Sequence, residues 1–67
     1  MGFEVVLLGI NNAEVAKVEF YSIEGARAFA RAGMAARGVK RTLILSFGDK
    51  FEGFQFDGEG NVQSLIF

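Results

Sequence analysis

The chain has 67 residues, a formal charge of −1, 51% hydrophobic residues, eight phenylalanines and neither cysteine nor histidine. A length like this allows one domain, residues 1–67, and buries only about 60% of the surface of the unfolded chain. The missing residue types exclude disulfide staples, thiolate metal sites and the common Cys–His and Ser–His catalytic pairs, while the near-zero net charge excludes a global field for nucleic acid or anionic membrane.

Residues 3–10, FEVVLLGI, are apolar at both parities and predict a strand covered on both faces. NNAE supplies a turn, since asparagine tolerates positive φ. Residues 14–21, EVAKVEFY, alternate and predict a half-buried strand, paired with the first as a hairpin. Ser22 reads as an N-cap, followed by Glu24 where the helix dipole favours an acid. The spacing predicts a helix over 23–37, with Gly38 at the left-handed position beyond its end. Gly25, Ala26, Phe29, Gly33 and Ala36 share one face of it, and Glu24, Arg27 and Arg31 lie opposite. The two interior glycines cost roughly 1 kcal/mol each against alanine and imply a close approach of helix to sheet.

Three strands follow: KRTLILSF over 40–47, FEGFQFD over 51–57 and NVQSLIF over 61–67, joined by GDK and GEG turns. The first of these sets Leu43, Leu45 and Phe47 against Thr42, Ile44 and Ser46, and the larger set is expected to face the core. Phe54 and Phe56 share a parity that Phe51 lacks; Gly53 suggests a bulge or a close backbone approach. The order β-β-α-β-β-β predicts an α+β domain, an antiparallel sheet with one helix packed on one face.

One helix covers one face. The other is expected to show Val6, Leu8, Ile10, Val15, Tyr21, Ile44 and Phe51, a contiguous apolar set that needs a cover. Either a strongly twisted sheet curls over it, or a second copy or a different protein occupies it; a homodimer also replaces the missing staple. Val6, Leu8, Ile10, Tyr21, Ile44 and Phe51 are the expected apolar interface.

Charge is segregated. Residues 22–41 hold Arg27, Arg31, Arg37, Lys40 and Arg41 against Glu24; residues 42–67 hold Asp49, Glu52, Asp57 and Glu59 against Lys50. The five cations are the expected electrostatic contact to a partner, with phosphate contact as the alternative. Asp57, Glu59 and Asn61 resemble the opening of an EF-hand loop, but Val62 stands where that loop needs glycine and the chain ends before the twelfth ligand. GEG joins strand to strand, so it is no phosphate loop. No metal and no cofactor is expected. The longest apolar run, Val5–Leu8, cannot span a bilayer, and no signal peptide is visible at the N-terminus; the expected place is the cytoplasm, with no membrane partner.

In size and style the chain resembles the small single-domain inhibitors encoded by phages and mobile elements, including anti-CRISPR proteins: a compact one-helix sheet, no catalytic residues and segregated charge in a very short chain. The resemblance implies an inhibitor that occupies a partner's surface, and it carries over no functional residue. The reading is a non-enzymatic protein-binding module acting as a homodimer. A small nucleic-acid-binding module and a structural component of a larger assembly are the alternatives.

Overall fold

A computed structural model describes residues 2–67. Five strands, β1 (Phe3–Leu8), β2 (Glu14–Phe20), β3 (Arg41–Ser46), β4 (Asp49–Phe56) and β5 (Val62–Ile66), and one helix, α1 (Ile23–Gly33), follow in the order β1-β2-α1-β3-β4-β5. The sheet order is β2-β1-β3-β4-β5 and every neighbouring pair is antiparallel. The expected α+β architecture is the observed one, and α1 packs on one face.

Local chemistry accounts for the boundaries. The Ser22 side chain accepts a hydrogen bond from the Gly25 amide at 3.1 Å, capping α1 as its sequence implies. The helix ends at Gly33 rather than at Arg37. Beyond it the chain continues in tight turns, Met34 N–H to Arg31, Ala35 to Ala32 and Ala36 to Gly33, until Gly38 takes its left-handed φ of 84°. Asn11 and Asn12 both stand at φ 59° in the turn between β1 and β2, a conformation asparagine tolerates better than most residues.

The register settles which residues face the helix. Val5 lies opposite both Val18 and Ile44, and Leu7 opposite Ala16 and Thr42. Directly opposed residues share a face, so Thr42, Ile44 and Ser46 lie beneath the helix, and Leu43 and Leu45 on the open side. This reverses the parity expected for this strand. Ile44 is 0% exposed, in a core with Val5, Leu7, Ala26, Ala30, Met34, Val39 and Phe54. The small residues of α1 let it sit low: a Cβ on Gly33 would stand 2.8 Å from Leu7 Cδ2. One side-chain polar atom is enclosed here, the Thr42 hydroxyl, which has no hydrogen-bond partner among the described residues.

β4 carries two irregularities. Ile44 pairs with Glu52 but Leu45 with Lys50, so Phe51 is an extra residue opposite no single partner, a bulge. The bulge turns Phe51 toward the helix side, where its ring lies 5.9 Å from that of Phe3. Gly53 marks a close approach instead: a Cβ there would stand 2.6 Å from the Thr42 carbonyl oxygen.

Two stability outcomes follow from this packing. Gly53→Ala forces backbone apart in the middle of the sheet and should destabilise by about 1–3 kcal/mol. Thr42→Val removes an enclosed hydroxyl without a partner and should stabilise by about 1 kcal/mol. Urea unfolding of the two variants beside the parent checks both; equal midpoints for all three would contradict this account of the core.

Candidate functional site

The open face of the sheet is narrower than its sequence suggests. The rows Lys17–Val6–Leu43–Gly53–Leu65 and Glu19–Glu4–Leu45–Lys50 run across it. Val6 and Leu8 do lie on this face, yet they are only 6% and 8% exposed. Ile44 is absent from it, being buried under α1, and Phe51 is moved off it by the bulge. Ile10 lies in the turn between β1 and β2, and Tyr21 at the β2–α1 junction; both are exposed, but beyond the ends of the strands. The six expected interface residues therefore do not form one surface.

The five cations separate as well. Arg27 reaches across to β4 and donates from Nε and Nη2 to the two carboxylate oxygens of Glu52, at 2.8 and 2.7 Å. Glu52 is on the helix side by regular alternation, two residues before Phe54 and opposite Ile44. A two-point fork of this kind fixes geometry as well as charge, and it uses up Arg27 as a partner contact. The hydrogen bond from Arg27 holds the Glu52 carboxyl below its ordinary range, against a smaller upward push from burial; the same bond raises Arg27 further. Among the described residues, Arg31, Arg37, Lys40 and Arg41 make no ion pair. Lys40 and Arg41 border an open cleft of about 570 Å³ with the Ile10–Asn12 turn, Gln55 and Phe56.

Asp57 is committed to structure. Its Oδ1 accepts from the amides of Glu59 and Asn61 at 2.8 and 2.9 Å, closing the β4–β5 turn, and these backbone bonds, Asn61 first, lower its carboxyl.

The end of the sheet opposite the cleft holds a feature that sequence reasoning passed over. Ser46 pairs with Asp49, leaving Phe47 and Gly48 as a two-residue turn with φ of 53° and 82°. Two positive φ values define the hairpin turn whose hand matches strand twist, and its usual residues are asparagine and glycine. Phenylalanine pays steric strain there, and Phe47 is 77% exposed. Tyr21, Phe51 and Phe67 are exposed at this same end, with Lys50 Nζ 5.6 Å from the centre of the Phe67 ring. The signal was in the sequence: FGDK offers Phe-Gly where a two-residue turn is needed, once Asp49 is counted as a strand residue.

No family model matches the chain, and no curated protein or solved structure shows significant similarity to it. No helix among the described residues is long and apolar enough to cross a membrane.

The Arg27–Glu52 fork has a pH signature. A carboxyl whose folded-state pKa is depressed stabilises above its unfolded pKa, and that contribution fades as pH falls through the folded value. Glu52→Gln should lower the urea midpoint at neutral pH and make its fall between about pH 6 and about pH 3 shallower, because one linked proton is gone. An acid limb as steep as the parent's would show that the fork does not couple helix to sheet.

Proposed function

We propose that the protein is a non-enzymatic protein-binding module, a cytoplasmic homodimer that inhibits a larger protein or complex by occupying its surface, in the manner of the phage and mobile-element inhibitors it resembles. Phe47 is the observation that carries this reading. A bulky aromatic held at a left-handed φ and turned to solvent costs stability and fills no core. Tyr21, Phe51 and Phe67 surround the same end of the sheet, and aromatic side chains are the commonest anchors of protein interfaces. Lys50 and Asp49 supply a polar rim. The chemistry offered is recognition: large, rigid contact area at low entropic cost.

A second reading has its own support. Lys40 and Arg41, with Gln55 and Phe56 at the cleft, combine cations, an amide and an aromatic ring as single-strand binders do.

Phe47→Asn separates binding from folding. Relief of the strained turn should raise stability by about 0.5–1 kcal/mol, while retention of the partner from host lysate on the immobilised protein should be lost. A variant that is more stable and still retains the same species would overturn the aromatic end as the binding surface. Capture of a random oligonucleotide that weakens steeply with salt, and that Lys40→Ala with Arg41→Ala abolishes, would replace this reading with the second.

A further inference from the structure

We propose that β5 is the seam of the homodimer: two copies pair β5 to β5, antiparallel, about a two-fold axis at Ser64, and make one continuous ten-stranded sheet. This rests on the homodimer reading above and names its surface.

The sheet has two free edges, β2 and β5. β2 carries Glu14, Lys17 and Glu19, the charged pattern with which edges resist pairing. β5 is VQSLI, with no charge, no proline and no glycine, and Ile66 on it is 85% exposed. An uncharged edge of this length is a template for another strand.

The hydrogen-bond phase selects the register. Asp57 N–H donates to the Asn61 carbonyl and Phe67 N–H to the Phe51 carbonyl. Both bonds continue the ladder that pairs Phe56 with Val62 and Glu52 with Ile66. Facing alternates along an antiparallel strand, so Asn61, Gln63, Leu65 and Phe67 turn their backbone groups to β4. Val62, Ser64 and Ile66 turn theirs outward. An axis at Ser64 sets Ser64 against its own copy and Val62 against Ile66 of the second copy. Every outward N–H and C=O on the strand then meets a partner.

Side chains agree with that register. On the helix side Val62 meets Ile66, apolar against apolar; on the other side Gln63 meets Leu65, and no charge faces a charge. The pairing is isologous and consumes both β5 edges. The outer edges of the assembly are two copies of β2, charged and closed to further growth, so association stops at two. A foreign strand could use the hydrogen bonds, but this side-chain match belongs to the chain itself.

The chain has no cysteine, so Ser64→Cys provides its only thiol. Directly opposed residues of a hydrogen-bonded pair stand about 5.5 Å apart between Cα atoms, within reach of a disulfide. Mild oxidation should convert Ser64→Cys to a covalent dimer, while Lys17→Cys on the other edge should cross-link at least about tenfold less. Light scattering should give the parent twice its chain mass of 7.3 kDa, and Ser64→Lys, folded by circular dichroism, should revert to one chain mass. Amide exchange reads the same seam without mutation: Val62, Ser64 and Ile66 should lose protection on dilution while Gln63 and Leu65 keep theirs. A parent that stays monomeric at high micromolar concentration overturns the seam and the homodimer together. A dimer that survives Ser64→Lys, with no preferential Ser64→Cys cross-link, overturns the seam and leaves dimerisation through another surface.

Discussion

One short helix has to cover a five-stranded sheet, and it cannot. α1 runs along the strands, with Gly25 beside Phe20 at one end and Gly33 beside Leu7 and Thr42 towards the other, and a helix is about 10 Å wide, while five strands at about 4.8 Å spacing are about 19 Å across before side chains are added. α1 therefore settles over β1 and β3, touches β2, and reaches β4 only at its margin. The core forms where the helix lies, and β5 stays at the edge with Ile66 in solvent. The uncovered part of the helix side and the free edge beside it both descend from this mismatch of widths. The Arg27–Glu52 fork is the compensating device. It ties the helix to β4, the farthest strand it reaches, by charge where apolar contact is thin.

Much of this was legible in residue order. The N-cap Ser22, the five strands, the asparagine turn and the close approach at Gly53 follow from side-chain chemistry that acts within a few residues, and these stand as expected. The errors share a different origin. TLILS is apolar at both parities, so its facing is set by the strand beside it: Val5 opposite Ile44 decides the matter, and no local pattern contains that pairing. Phe51 is misplaced for the same kind of reason, since a bulge appears only when two strands are laid together. The basic cluster looked continuous in sequence because Glu52 lies 25 residues from Arg27. Phe47 reads as a strand residue because a strained phenylalanine at a turn contradicts the preference that normally identifies such turns.

The molecule thus presents two unlike ends. At one, Lys40 and Arg41 border an open cleft; at the other, exposed aromatics stand around a strained hairpin. In a two-fold sheet formed through β5, antiparallel pairing places the aromatic end of one copy beside the cleft end of the other, with both helices on the same side. Such a surface is polar-aromatic at each extremity and apolar along the middle, where Val62 and Ile66 of the two copies meet.

The pairing of β1 with β3 also governs how the chain gets to its structure. β1–β2 and β4–β5 are hairpins whose partners are close in sequence, and β3–β4 is closed by two residues. Only β1–β3 joins residues more than thirty positions apart, Leu8 with Arg41 being its nearest pair. Loop-closure entropy is concentrated in that single event. Two small hairpin units, each unable to bury its apolar face alone, wait on one docking step that seats α1 over Val5 and Ile44 at the same moment. Contact order puts the main entropic barrier at that step, and before it both central strands are open edges rich in Val, Ile and Leu, each with a single charge, Glu4 on β1 and Arg41 on β3.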